Sequence, residues 1–354
     1  MRNTNIFAHA SKELSLDAFL TWLFYYLDTE EQEKNKQTFF DNLLLYKTDS
    51  GKSVKNIEVK KQAKAGKKRV DILLKFELDG NKQQILFENK TRTRTSLTQL
   101  NNYKKSYPDC YRYFYLKLSY IDIKDEKDCQ DCGYDVITSQ DLLNALDKLE
   151  IKHPFFSDFK ELIEEKYLNA IKEVRRKIAE NDFSVFKRET GRNLFFSELY
   201  KNFIQKGFTK IRFSSENGRS DTWTHLDLPS KNIPVVTEKG TQNKHEGIYL
   251  KSDIRKDSDK KRKFCLRLMQ YSSLGKNSAA NERIADLRQI ARNLQEKYPE
   301  LKSGKLSNQG EKSREIAVFF GDKNNLSVLL DKLPDYSLEF IEKREQSDTS
   351  YLST

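Results

Sequence analysis

RVDILLKFELDGNKQQILFENK, residues 69–90, decides how this 354-residue chain is read. Residues 69–77 run Arg, Val, Asp, Ile, Leu, Leu, Lys, Phe, Glu and residues 83–90 run Gln, Gln, Ile, Leu, Phe, Glu, Asn, Lys, with Asp79-Gly80-Asn81 between them. A turn dipeptide between alternating apolar runs predicts a β-hairpin. Side chains of a strand alternate faces, so Val70, Ile72, Leu74, Phe76, Ile85 and Phe87 are expected on one apolar face, and Asp71, Glu88 and Lys90 on the other. Closure over Asp79-Gly80 sets residue 71 opposite 88 and residue 69 opposite 90.

Two carboxylates then stand side by side. Cross-strand neighbours have Cβ atoms roughly 4.5 to 5.5 Å apart, where like charges repel. A divalent cation held by both would offset the repulsion, with Lys90 aimed at the same spot. Mg²⁺ commonly uses one or two carboxylates and takes further ligands from water and substrate phosphates, which points to phosphodiester hydrolysis. The competing reading is a surface hairpin carrying solvated charges, its acids neutralised by Lys90 and Arg69.

The flanking segments bear on that choice. Glu13 lies just ahead of an apolar helix marked by Leu16, Leu20, Leu23, Phe24 and Leu27, with Ser15 as its expected N-cap and Asp17 in its first turn. Residues 54–61 read as a strand before the hairpin, which makes Glu58 a further candidate. Residues 95–107 read as a helix that carries Gln99 and Tyr103 on one face. Strands are expected at 111–118 and 134–138, then a helix at 139–149 opened by a Thr138/Asp141 capping box.

Together these residues resemble the PD-(D/E)XK nuclease superfamily. Asp71 is followed by Glu88-Asn89-Lys90 in the place of the E-x-K tripeptide, Glu13 stands in a leading helix, and Gln99 to Tyr103 matches a Q-x-x-x-Y helix after the motif. The similarity covers residues 5–149. It departs from the pattern in having Val70, not proline, before Asp71, a change the superfamily tolerates.

The resemblance implies an α/β fold: a restriction-endonuclease-like core with a mixed central sheet flanked by helices. It also implies Mg²⁺ or Mn²⁺ bound by Asp71 and Glu88, with the backbone carbonyl of Asn89 and the Glu13 carboxylate completing the site. Lys90 would orient or deprotonate the attacking water, and Gln99 and Tyr103 would stand at the edge of the site. The implied activity is that of a DNA endonuclease of restriction, repair or anti-phage type, with RNA as the other nucleic-acid substrate. The alternative is an inactive nucleic-acid-binding or protein-interaction module that keeps the fold.

Charge is consistent with such a substrate. There are 64 lysines and arginines against 53 acids, a net charge of +11. Lys60, Lys61, Lys64, Lys67, Lys68 and Arg69 crowd the expected loop into the hairpin, and Arg92 and Arg94 leave it. Of these, Lys67, Lys68, Arg69, Arg92 and Arg94 are the candidate phosphate contacts. The competing explanation is surface solubility.

No stretch is long or apolar enough to span a membrane, and the N-terminus lacks a signal-peptide core, so a cytoplasmic protein is expected. Cys129 and Cys132 form a single C-x-x-C in an acidic loop without a second pair to complete a zinc site. There is no P-loop and no dinucleotide fingerprint.

The expected organisation is a nuclease-like domain over 1–152, a helical connector over 153–182 and an α+β domain over 183–354. For the last, target recognition, homodimerisation and contact with a partner protein are all open. Trp223 and His225 could contact a base or pack in a strand, and residues 255–263 read as a solvated hairpin tip. Late strands are expected at 314–320 and 337–341, around a helix at 324–333.

Overall fold

The computed structural model describes residues 5–8, 12–66, 68–91, 93, 95–180, 182–187, 189–217, 222–237, 240–256, 262–274, 278–306, 313–321 and 326–347. The chain divides into two compact units, Met1–Glu173 and Val174–Thr354.

The first unit is a mixed five-stranded sheet flanked by helices. In chain order it contains α1 (Lys12–Leu27), α2 (Glu33–Phe39), β1 (Val54–Ala65), β2 (Lys68–Leu78), β3 (Asn81–Lys90), α3 (Leu97–Ser106), β4 (Arg112–Lys117), α4 (Ile123–Asp131), β5 (Asp135–Thr138), α5 (Ser139–Leu146) and α6 (Pro154–Leu162). A further helix, α7 (Asn169–Ala179), spans the division between the units. Strand order follows sequence order from β1 to β5; β1, β2 and β3 are antiparallel, whereas β3–β4 and β4–β5 are parallel. A parallel pair needs a crossover, which α3 and α4 provide.

The β2–β3 turn forms as the sequence predicts. Asp79 and Gly80 both have positive φ, 48° and 78°, as a two-residue turn matched to the twist of the strands requires. Leu78 pairs with Asn81 and Ile72 with Phe87, the register expected from the turn. The Thr138/Asp141 capping box is present: the Asp141 N–H donates to Thr138 Oγ1 at 3.1 Å and the Thr138 N–H to Asp141 Oδ2 at 3.0 Å.

Both faces of the sheet are covered. One cluster packs Ile72, Leu74, Phe76, Ile85 and Phe87 against Leu16, Phe19, Leu20, Leu23 and Phe24 of α1 and against Phe156 and Phe159 of α6. The stretch expected as a connector thus begins inside this core, where the Phe19 and Phe159 rings stack with centroids 3.6 Å apart. The second cluster joins Leu73 and Leu86 to Leu100 and Tyr103 of α3 and to Cys129 and Cys132.

Several expectations are corrected. Val70 packs in the second cluster, not with Ile72 and Leu74. The basic stretch before the hairpin is not a loop: β1 continues to Ala65 and pairs with β2 from Ala65/Lys68 downward, so Lys60, Lys61 and Lys64 lie on an edge strand. α1 starts ahead of Ser15, which is buried inside the helix and is not its N-cap. Cys129 lies in α4, opened by Asp122 accepting from the Asp125 N–H, and its burial with Cys132 marks a core pair, not a loop motif.

The second unit is built on an antiparallel six-stranded sheet. It contains α8 (Glu189–Gln205), β6 (Arg212–Asn217), β7 (Thr222–Asp227), β8 (Lys231–Thr237), β9 (Gly240–Lys256), β10 (Arg262–Ser272), α9 (Ser278–Lys297), β11 (Ser313–Phe320) and α10 (Leu326–Ser347). The order is β11-β10-β9-β7-β6, with β8 pairing the start of β9. The tip expected within 255–263 has its flanks in β9 and β10, while residues 257–261 lie outside the described residues. His225 lies on β7 with Nε2 3.3 Å from Asp227 Oδ1; the Trp223 side chain is outside the described residues.

The strand expected at 337–341 is helical, because Leu326, Leu329, Leu333, Tyr336 and Phe340 recur at helical spacing and are all buried. Pro334 sits inside that helix and has no N–H for the Leu330 carbonyl four residues back. Asn202 Nδ2 donates to that carbonyl at 2.8 Å instead. Among the described residues no helix is long and apolar enough to cross a membrane.

Phe87→Ala removes a ring packed 5.9 Å from Phe24 and 5.4 Å from Phe114. It is expected to cost about 3 to 5 kcal/mol, read as a lower urea midpoint for the Trp22 fluorescence transition in a Trp223→Phe background.

Candidate active site

β2 and β3 pair only as far as Ile72/Phe87. Beyond that point β2 stays with β1, while Glu88, Asn89 and Lys90 pair with Tyr115, Leu116 and Lys117 of β4. The strands part, and Asp71 reaches across the opening to accept the Asn89 N–H on Oδ2 at 2.7 Å. Residues 71 and 88 are therefore brought together at a fork, not as rungs of a continuous ladder.

Lys90 stands between the two carboxylates. Its Nζ is 2.5 Å from Glu88 Oε1 and 3.8 Å from Asp71 Oδ2, and it also donates to the Asn89 carbonyl at 3.1 Å. Ser96 caps α3 by accepting the Gln99 N–H, which sets Gln99 in the first turn of the helix facing the sheet. Gln99 Nε2 lies 2.9 Å from Glu88 Oε1 and 2.8 Å from the Tyr103 hydroxyl, and that hydroxyl donates to the Arg69 carbonyl at 2.6 Å. Five of the six expected site side chains or their backbones thus meet at one place: Asp71, Glu88, Lys90, Gln99 and Tyr103. The sixth, Glu13, belongs to α1, and its side chain lies outside the described residues.

Electrostatics make this a costly arrangement. Glu88 is fully buried, and burial followed by the nearby Asp71 charge raises its pKa from 4.5 to about 7 despite the opposing pull of Lys90. Burial, then Glu88 and Asp71, also push the Tyr103 phenol well above its ordinary value, so it stays a hydroxyl. Glu88 Oε2 is buried with no hydrogen-bond partner among the described residues. A buried carboxyl oxygen with no partner among the described residues, next to a second, half-buried carboxylate, is a donor set that suits a hard divalent cation. Among the described residues no three His, Cys, Asp or Glu side chains converge as a fuller ligand cluster.

Other expected residues take different places. Lys68 and Arg69 are exposed, and Lys68 Nζ donates to Gln99 Oε1 at 3.0 Å, which ties it to the site. Lys67, Arg92 and Arg94 lie outside the described residues. Glu58 is not part of the site: it is exposed, opposite Lys75, and 3.2 Å from Lys60.

Two site residues escape a reading of the sequence. Asp17 is buried and accepts from Asn89 Nδ2 at 2.8 Å, linking α1 to the middle of Glu88-Asn89-Lys90. Its place four residues after Glu13, on the same helix face, is the signal that could have marked it. Gln62 Nε2 lies 3.4 Å from Asp71 Oδ1; nothing in the pattern of β1 singles it out.

Comparisons with protein-family models, with curated proteins and with solved structures found no match to this chain.

Because the folded-state pKa of Glu88 stands above that of an unfolded glutamate, the folded protein binds the extra proton between them. The Glu88 contribution to stability is then fully present at and below about pH 4.5 and is lost, on the order of 3 kcal/mol, as pH rises from there through about 7. Glu88→Gln should flatten that window in urea titrations without divalent cations; an unchanged slope would show that Glu88 is not its source.

Proposed function

We propose that the first unit is a metal-dependent nuclease of the PD-(D/E)XK type, with a restriction-endonuclease-like core. The reading rests on one observation above the rest: Glu88, fully buried with an Oε2 that has no partner among the described residues, shares Lys90 with Asp71 at the fork of β2 and β3. A fold that buries a carboxylate at this cost, beside another acid, gains nothing in stability from it. Perturbed groups of this kind concentrate at functional sites.

In this reading Asp71 and Glu88 would hold Mg²⁺ or Mn²⁺, with Glu13 and the Asn89 carbonyl as further ligands. The bound cation supplies Lewis acidity toward the phosphate and lowers the pKa of water. Glu88 would have to be ionised to serve as a ligand. Lys90, now on Glu88 Oε1 and the Asn89 carbonyl, turns its ammonium toward the attacking water and the developing phosphorane charge. Gln99 holds Glu88 from the α3 side, and the Tyr103 hydroxyl, anchored on the Arg69 carbonyl, holds Gln99.

The substrate class is nucleic acid, DNA in the first instance. Lys68 and Arg69 beside the site, with Lys67 next to them in sequence and Arg92 and Arg94 just after Lys90, supply cations for a phosphate backbone. The activity proposed is that of an endonuclease of restriction, repair or anti-phage type. The second unit would select the target, form a homodimer or engage a partner protein.

Plasmid, linear and single-stranded DNA and RNA, incubated with Mg²⁺, Mn²⁺ or EDTA, test the proposal. Asp71→Ala and Lys90→Ala are each expected to lower the cleavage rate by on the order of 100-fold or more. Cleavage that persists in EDTA, or wild-type protein as inert as both variants, would overturn it.

A further inference from the structure

Gln62 has a backbone that its strand does not explain. It has φ of 52°, in the left-handed region that few residues other than glycine, asparagine and aspartate adopt. Asn56, also left-handed on β1, sits where the β1–β2 register slips between Lys55 and Glu58, so a bulge accounts for it. No slip occurs at Gln62: Lys61 pairs with Ile72 and Ala63 with Val70, which sets Gln62 directly across from Asp71.

The side chains of both strands change faces at this level. On β1, Ile57 and Val59 pack in the α1-side cluster, whereas Ala63 and Ala65 pack with the α3-side cluster. On β2, Ile72 belongs to the first cluster and Val70, two residues earlier, to the second. An unbroken strand would keep each set on one face. The end of the β1–β2 arm past this point is fastened to α3, by Tyr107 to the Lys64 carbonyl at 2.7 Å, Tyr103 to the Arg69 carbonyl and Lys68 to Gln99.

We infer that Gln62 is a positioning residue of the two-carboxylate site: its left-handed backbone turns the β1–β2 arm from the α1 face toward α3 at the level of Asp71, and its side-chain amide steadies Asp71 Oδ1. Asp71 is held from both sides, by Gln62 on Oδ1 and by the Asn89 N–H on Oδ2. The 3.4 Å contact from Gln62 is the longer and looser of the two, so Oδ1 is the oxygen free to turn to a cation. The inference rests on the proposed cation site, and it makes an exposed, strained glutamine a working part of it.

Gln62→Gly tests this, because glycine accepts the left-handed backbone without strain and removes only the amide. The variant is expected to melt at the same temperature as wild type or higher. Its Mn²⁺ affinity, read by electron paramagnetic resonance, should fall about ten-fold, the usual effect of losing a group that orients a ligand. Its Asn89 amide resonance should shift and exchange faster with solvent. Gln62→Asn, which tolerates the backbone and keeps a shorter amide, should fall between the two. A glycine variant as stable as wild type, with Mn²⁺ affinity and the Asn89 amide both unchanged, overturns the inference; so does one that unfolds while Gln62→Asn behaves as wild type in every respect. Should wild-type protein bind no Mn²⁺, the nuclease reading fails by itself, and the Asn89 amide still decides the role of Gln62.

Discussion

The bond from the Asn89 N–H to Asp71 Oδ2 is the interaction on which the rest of the site depends. It forms only because β2 and β3 stop pairing after Ile72 and Phe87, each going on with its outer neighbour. Where a ladder parts, backbone N–H groups lose their strand partner and must be satisfied some other way. Here a carboxylate takes that place, and a charged acceptor makes the stronger bond. The same residue then serves three side chains: its N–H holds Asp71, its carbonyl receives Lys90, and its side-chain amide reaches Asp17 on α1.

Around that residue two carboxylates, Asp71 and Glu88, share one lysine. Among the described residues Lys90 is the one cation paired with both Asp71 and Glu88, and burial outweighs it enough to raise the Glu88 pKa to about 7. Desolvation of a buried acid commonly exceeds what one ion pair returns. Apolar packing on both faces of the sheet carries the stability of the unit, with α1 and α6 on one side and α3 and α4 on the other. The site is a local loss of stability set in a core that can bear it.

Much of this was legible beforehand, and the parts that were not share a cause. The Asp79-Gly80 turn fixed the hairpin register because its two positive φ values leave little choice of pairing. Gln99 and Tyr103 were legible because four-residue spacing is local to one helix. Val70 was misplaced because alternation assumes an even strand, and the turn at Gln62 breaks it. Residues 337–341 read as a strand because Pro334 hides the helical period, and the Asn202 side chain that makes the proline tolerable comes from far away in the chain.

By itself, then, the sequence determined the hairpin, its register, the helices that flank it and the acids and lysine that could act together. These follow from periodicity, turn stereochemistry and capping, all properties of residues near one another in the chain. The tertiary structure decided where the ladder opens, which face each end of the β1–β2 arm covers, and that Asp17 and Gln62 reach the site. Those outcomes depend on which of two neighbours a strand keeps and on burial that no single segment controls, so they exist only once the whole sheet is assembled.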